Sequence, residues 1–486
     1  MPAKHLLTVA ACVVWLAMAV VLVRRQGVPE ATPVASLPPA PRAAAATGGT
    51  EEWFGVYKGD RKIGHTVRQT VPIDGGKRLI DRSTMSFAML GTPQTVRMAL
   101  VADTDEHDAL RRFQFTLTSQ AATLSATGES DGTRIRVEYG FGDRPREKVD
   151  LPLGAPIELL GGLRPRIAAA WPEPGTRFTH TVLNPMTMRG EPVVTVVDAR
   201  EQVGDVEVLR LTESQGGLEV RAWLDRSGRV LREESVLGFV LVREPREVAL
   251  AGRPGDDRVD MTAMARIPVD APIADPRGRA VLSLRLQGPA ASLVPDDPPR
   301  QRRDGSLLRL TREKVPRATA ADESGAALAA YRTPSPFIES DDPAIVSTAR
   351  AIVGDETDPV RRARRLLHWV SRNLEQTPSV TMPSAREVLR ARRGDCNEHA
   401  VLLAALARAA GLPARVVAGA VYLNDGFYYH AWTEIWLDAW VSADAVFAQM
   451  PADVTHVKLV EGGPERHFQL AGVLDRLRFH VVEEDT

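Results

Sequence analysis

Three residues of the sequence have the types that nucleophilic chemistry needs. Cys396 heads the apolar run "CNEHAVLLAALARAA", His430 lies in "FYYHAWTEIWL" and Asp444 lies in "WVSADAVF". A thiolate attacks carbonyl carbon, an imidazole can take the thiol proton, and a carboxylate beside the imidazole orients it and supports its charged form. The one other cysteine, Cys12, falls in an N-terminal apolar run. An isolated cysteine is more often inert and buried, and a lone strand histidine is more often structural than catalytic. The argument for chemistry therefore rests on position.

Asp395 fits a helix N-cap and Glu398 falls at N3, the spacing of a capping box. Cys396 is thus predicted as the first residue of a helix that stops at Gly411 and Pro413. At that place the macrodipole and unpaired backbone N–H groups favour a thiolate, and Arg392 and Arg393 add positive charge. The helix body is apolar on nearly all sides, which predicts a buried central helix. "ARVVAGAVYL", the turn Asn424-Asp425-Gly426 and "FYYHAWTEIWL" predict strand, turn and strand, with "WVSADAVF" as a third strand. His430 and Asp444 flank a turn centred near Leu437, so antiparallel pairing sets them opposite each other, within a residue or so, on one face. Packed on the Cys396 helix, this hairpin completes a Cys-His-Asp triad.

The blocks "GDCNEHAVLLAALARAAGLPARVV", "YYHAWTEIWL" and "WVSADAVF" resemble the three signature blocks of the transglutaminase-like superfamily, a papain-like α+β cysteine-enzyme core. The resemblance spans about residues 340 to 460 and departs at Ala445, where such proteins often carry proline after the aspartate. It implies Cys396 as nucleophile, His430 as base and Asp444 as its orienter. It also implies attack on a carboxamide or peptide bond, and a thioester passed to water or to an amine. It calls for no cofactor and no metal. "WFGVYKGDRKIGH" and "RAWLDRSGRVLREE" resemble the β-rich N-terminal part of bacterial membrane-anchored members.

The elements around these residues divide the 486-residue chain. Residues 1–27 hold an apolar stretch, 6–23, long enough as a helix (~27 Å) to cross a bilayer. We read it as a transmembrane signal anchor; the rivals are a cleaved signal peptide at Ala17-Met18-Ala19 and a lipoprotein signal at Cys12. Residues 28–50 are a Pro- and Ala-rich tether. Arg24 and Arg25 behind the stretch favour a cytoplasmic body. The export-like start and the single cysteine of the soluble part favour a periplasmic or other extracytoplasmic one, which is the reading adopted. Residues 51–250 alternate apolar and polar residues between Gly and Asp turns, predicting a β-sandwich or open barrel. Residues 251–339 read as a β extension and linker, either strand additions to a neighbour or a small β-domain. Residues 340–486 turn helical, with starts at Asp342-Pro343 and Asp358-Pro359 and a capping-box pattern at Ser384 and Glu387. The whole is an α+β chain.

Several features point elsewhere and fail on context. Gly128-Glu129-Ser130-Asp131-Gly132 has the G-x-S-x-G spacing but precedes a strand instead of a helix, so it is predicted as a hairpin turn. His399 is expected to face away from Cys396 or cap locally. The arginines of "RRARRLLHWVSR" form a solvated helix face, and Trp432, Trp436 and Trp440 are expected mostly in the core. Net charge is −1 with 25% charged residues, which gives no whole-chain ground for a nucleic-acid partner. The expected partners are a protein or peptide substrate and the membrane. Two function classes remain: a thiol enzyme, or a membrane-tethered binding or scaffold protein with a vestigial core.

Overall fold

The computed structural model describes residues 49–482, except 90–91, 120–122, 142–146, 154–156, 160–161, 185–188, 216–217, 236–237, 252–258, 261–265, 316–327, 336, 378–383, 464–466, 468–469 and 471–472. The expected membrane anchor and most of the tether lie outside the described residues. No described helix is long and apolar enough to cross a membrane.

Fourteen strands, β1 (Thr50–Lys58) through β14 (Phe239–Arg243), form one sheet. Their sequences alternate as a half-buried sheet requires: Ile135 and Val137 point inward while Arg134 and Arg136 point to solvent. The order is β8 to β1, then β14 back to β9, and each neighbouring pair is antiparallel. β1 thus joins two meanders. The segment after β8 (Glu147–Pro152) shows how the sheet bends. Ile157 accepts from Leu110 N–H of β5 (Leu110–Thr118) at 2.8 Å, and Glu158 N–H donates to Thr181 of β9 (Arg177–Asn184) at 2.9 Å. Two adjacent residues can reach strands so far apart in the order only if the sheet curls. One curled sheet, not the two facing sheets of a sandwich, is what the alternation encodes. Two short helices, α1 (Arg164–Ala170) and α2 (Arg246–Leu250), accompany it. The Gly128–Gly132 stretch closes the hairpin between the sixth and seventh strands, with Asp131 Oδ1 accepting from the Thr133 and Arg134 amides. The sequence expectation for it holds.

A second unit has its own apolar core, running from Ile267 to Phe479. β15 (Arg266–Pro268), β16 (Val281–Gln287), β17 (Gln301–Asp304) and β18 (Leu307–Thr311) precede its helices α3 (Pro343–Val353), α4 (Pro359–Asn373), α5 (Ala385–Ala391) and α6 (Cys396–Ala409). The two-residue strands β19 (Glu375–Gln376) and β20 (Arg393–Gly394) pair in parallel. β21 (Ala414–Leu423), β22 (Gly426–Trp436), β23 (Trp440–Ala443), β24 (Val457–Glu461) and β25 (Arg478–Val482) complete it. One sheet has the order β15-β22-β21-β24, with β23 also on β22; the other has the order β17-β18-β16-β25. β15 and β23 occupy opposite ends of the same edge of β22.

Packing therefore draws this unit further back than residue 340. Residues 266–311, read from sequence as extension and linker, add β15 to the sheet of β22 and pair β16 with the C-terminal β25. Leu282, Leu284, Leu308 and Leu310 are buried in the common core. A single sequence cannot show that pairing, because β22 and β25 lie far downstream of β15 and β16.

Both Asp-Pro helix starts form: Asp342 and Asp358 accept from the first-turn amides of α3 and α4. The capping box expected at Ser384 does not. Its hydroxyl turns to the Glu339 carboxylate instead. α5 ends at Ala391, with Arg392 as its C-cap in a left-handed conformation (φ 56°).

Candidate active site

The helix that carries Cys396 starts as its sequence dictates. Asp395 Oδ1 accepts from the Asn397 amide at 2.8 Å, and Glu398 Oε2 accepts from the Asp395 amide at 2.9 Å. Gly394 is required for that return contact, since a Cβ there would lie 2.3 Å from the Glu398 Cβ. Every residue from Ala400 to Ala407 is buried, so α6 is the central helix its composition predicts. β21 and β22 form a hairpin across the two-residue turn Asn424–Asp425. Thr433 Oγ1 donates to the Ala400 carbonyl at 2.9 Å and fastens β22 to the first turns of α6.

This contact ties the strand of His430 to the helix of Cys396. The Ala431 amide, next to His430 on β22, points at the Cys396 sulfur. His430 is buried, and its Nε2 lies 2.8 Å from Asp444 Oδ2. The Phe447 ring stacks on the imidazole at 5.1 Å. The pairing of β22 with β23 is Thr433 to Ala443 and Glu434 to Ser442, which by extension sets Asp444 level with Trp432. The aspartate is two residues out of the expected register. Even spacing keeps it on the His430 face, and the side chains meet diagonally.

Asp444 is fully buried and completely engaged. Oδ1 accepts from the Val446 amide at 2.8 Å and the Phe447 amide at 3.2 Å. Oδ2 also meets Nε2 of a second histidine, His456, at 2.8 Å. Burial alone would raise the Asp444 carboxyl, but the His430 charge and the hydrogen bonds from His430 and His456 hold it far below the usual carboxylate range. The atoms of His430, Asp444 and His456 lie within 4.8 Å of one another, the spacing of a metal-ligand group, but here they meet as hydrogen-bond partners.

The electrostatics at the sulfur differ from the sequence expectation. Burial, then the carboxylates of Asp395, Glu398 and Asp444, push the Cys396 thiol well above its ordinary value, against the pull of the Ala431 amide. Arg392 instead lies over the Trp369 ring at 4.4 Å, and Arg393 is exposed. The capping box that places the thiol thus also sets two carboxyl groups beside it, and burial and Glu398 push that of Asp395 well above its ordinary value. Asn397, the next residue, accepts from Tyr429 O–H at 2.7 Å and lies 3.1 Å from His467 Nδ1; burial drives His467 down to about 4.

His399 caps locally, its Nδ1 2.7 Å from the Asp395 carbonyl. Trp432 is buried, while Trp436 and Trp440 pack edge to face at 5.5 Å, with Arg415 over the Trp440 ring at 4.0 Å. His456, Asp453, Phe447 and Arg277 escaped the sequence reading. Asp453-Val454-Thr455-His456 offered a faint signal in its Asp-x-x-His spacing, and nothing local tied Arg277 to it.

The C-terminal unit thus carries a cysteine at a helix start and a hydrogen-bonded histidine–aspartate pair on the segment fastened to that helix. Within it, residues 346–445, which contain Cys396, His430 and Asp444, match the family model of the transglutaminase-like superfamily, so the chain carries a transglutaminase-like domain. A candidate cysteine protease from Cytophaga hutchinsonii shares 16% identity over 46% of this chain and 86% of its own, with a TM-score of 0.29. The periplasmic domain of TgpA from Pseudomonas aeruginosa, bound to ethylmercury, shares 16% over 39% of this chain and 93% of its own, with a TM-score of 0.26. A β-barrel-like protein of unknown function from Brucella abortus shares 11% over 43% and 96%, with a TM-score of 0.32. Scores this low establish no common fold over the aligned lengths. No curated protein matches the chain.

Proposed function

We propose that the protein is a thiol enzyme acting on a carboxamide, either a glutamine side chain or a peptide bond, of a protein or peptide substrate. The observation that carries the reading is the His430–Asp444 hydrogen bond on strands fastened to the helix that begins at Cys396. As the sulfur attacks, its proton passes to His430 Nδ1, the nitrogen not used toward Asp444. The S–C bond forms, the C–N bond breaks, and His430 returns the proton to the leaving amine. Water or a second amine then cleaves the thioester, giving hydrolysis or acyl transfer, with His430 again relaying the proton. The Asn397 amide is engaged by Asp395, which leaves the Cys396 N–H at the helix start as the oxyanion donor we assign.

The thiol pushed upward by burial and carboxylates favours a second reading, a binding or scaffold protein with a vestigial core. Incubation with a glutamine-containing peptide and an amine donor separates the two. Ammonia release or amine incorporation that disappears in Cys396→Ala supports the enzyme. Peptide retention that survives in that variant, without turnover, supports the scaffold. We further propose that residues 6–23 anchor the chain with its body outside the cytoplasm. A phosphatase active only outside the cytoplasm, fused after residue 50, should be active; an intact but inactive fusion would reverse the orientation.

A further inference from the structure

We propose that His456 is a positioning residue of this site: a buried imidazolium that shares the Asp444 carboxylate with His430 and so weakens the support Asp444 gives to a His430–Cys396 ion pair. The inference rests on the active-site reading above.

Its geometry is that of a donor at both nitrogens. Nε2 meets Asp444 Oδ2 at 2.8 Å, and a carboxylate held far below its usual range only accepts. Nδ1 faces two further acceptors of Asp453, the carbonyl at 3.2 Å and Oδ1 at 3.3 Å. A ring that meets only acceptors on both sides carries both protons. The side chain is 0% exposed, so its charge is sustained by the two carboxylates that flank it. The resulting hydrogen bonds outweigh burial and raise the imidazole above its ordinary value.

The flanking groups are themselves fixed. Asp453 Oδ1 also takes the Thr455 amide at 2.9 Å and its hydroxyl at 2.5 Å, and Oδ2 takes Arg277 Nη1 at 2.6 Å. The Arg277 guanidinium lies 4.2 Å over the Phe447 ring, the ring that stacks on His430. Arg300, paired with Glu313 at 2.6 Å, donates to the Asp453 carbonyl at 2.6 Å and the His456 carbonyl at 3.4 Å. The remaining ring neighbours are His430 at 5.6 Å, Trp432 at 5.2 Å and Phe447 at 6.0 Å. A chain of contacts therefore runs Arg277, Asp453, His456, Asp444, His430. Arg277, Arg300, Asp453 and His456 all lie outside the family-matched span of 346–445.

The consequence is electrostatic. An unshared aspartate would lend its whole charge to His430 and favour the imidazolium–thiolate ion pair. Sharing one oxygen with a second cation weakens that support. Removing that second cation would return the support to His430 and favour the ion pair.

The test is the pH dependence of Cys396 alkylation by iodoacetamide in the full chain, followed on the Cys396 peptide by mass spectrometry from pH 5 to 10. His456→Gln keeps a neutral donor but cannot carry charge. Asp453→Asn keeps acceptors for the second proton but removes one of the two carboxylate charges that sustain the imidazolium, and leaves His456 in place. Both should shift the profile toward acid and speed alkylation at pH 6.5 by about tenfold, one pH unit of stabilisation of the ion pair. Adding His430→Ala should cancel the gain. Folded His456→Gln and Asp453→Asn proteins with the wild-type profile would overturn the proposal. If His430→Ala alone also leaves the wild-type profile unchanged, the active-site reading fails instead. Should the variants not fold, nitrogen NMR of the wild type decides: His456 holding both protons to higher pH than an ordinary histidine is the expected result, and a ring that turns neutral at or below the ordinary histidine value overturns it.

Discussion

Thr433 on β22 donates its hydroxyl to the carbonyl of Ala400 on α6 at 2.9 Å, and both residues are buried. It lies three residues from His430 on the strand, and Ala400 lies four from Cys396 on the helix. The bond therefore helps set how His430, the proposed base, stands against Cys396, the proposed nucleophile. Thr433→Val, close in shape, leaves the Ala400 carbonyl without this donor at a cost of about 1–3 kcal/mol. Urea unfolding should show that loss. Turnover of a glutamine peptide should fall further than stability predicts, because a small shift between reacting groups lowers the rate steeply. Unchanged turnover in a folded variant would mean that β22 is held elsewhere.

The boundary of the C-terminal unit is a second test. A fragment beginning at residue 340 lacks β15 to β18, which strips Leu282, Leu284, Leu308 and Leu310 from the core and leaves β25 without its partner. It also lacks Arg277, Arg300 and Glu313, which brace the strands around Asp444. That fragment should be insoluble or melt without cooperativity, whereas one beginning at residue 259 should unfold in a single transition by circular dichroism. In the full chain, limited proteolysis should spare residues 281–311. Cutting there with full retention of activity would restore the boundary at 340.

What the sequence made legible follows from the range of the forces involved. Helix starts at Asp342, Asp358 and Asp395 were readable because capping is decided within four residues. The hairpin turn at Asn424–Asp425 was readable for the same reason. The Ser384 box misled because a carboxylate from 45 residues away, Glu339, competes for the hydroxyl. The β16–β25 pairing and the Arg277–Asp453 ion pair join residues whose only link is the folded chain. The field at Cys396 runs against its local arginines, because Arg392 lies over Trp369 while burial and the carboxyl groups of Asp395, Glu398 and Asp444 raise the thiol.

That field gives a third prediction. Cys396 is raised above its ordinary value, so its thiolate is scarce at neutral pH and alkylation should still be climbing above pH 9. Glu398→Gln keeps a side chain able to accept from the Asp395 amide but removes a negative charge. The thiol should drop toward its ordinary value, and alkylation at pH 7.5 should rise several-fold. A rate that stays flat or falls would show that the Glu398 charge does not reach the sulfur.

Acid stability carries the opposite sign. Asp444 and Asp453 are both depressed in the folded protein, so each contributes stability that is present above the unfolded carboxylate value and is lost as pH falls through the folded one. His456 is raised, so its contribution is complete below the unfolded histidine value and is lost as pH climbs through the folded one. Melting temperature of the C-terminal unit should therefore fall below about pH 4 as the carboxylates take up protons, and should also decline on the alkaline side of pH 6.5. Asp453→Asn should flatten both limbs, because it removes one of the depressed carboxylates and with it one of the two negative charges that raise His456. A variant whose curve keeps the wild-type shape would show that this pair does not control the pH dependence.

The last prediction treats Cys396, His430 and Asp444 as a unit. Cys396→Ala should abolish covalent chemistry, since the only other cysteine, Cys12, lies in the N-terminal apolar run. Cys396→Ser should be nearly as damaging, because a hydroxyl is a far weaker nucleophile at neutral pH. His430→Ala removes the proton acceptor. Asp444→Asn should be milder than either in chemistry, since nucleophile and base remain. It should cost more in stability than its size suggests, about 3–5 kcal/mol, because it leaves the buried His456 charge with one carboxylate in place of two. Residues that act together lose activity once, so Cys396→Ala with His430→Ala should cost little beyond the worse single change. Rates for the single and double variants on a glutamine peptide, beside urea unfolding of Asp444→Asn, separate the two effects. Additive losses for Cys396 and His430 would mean that they do not act on the same proton.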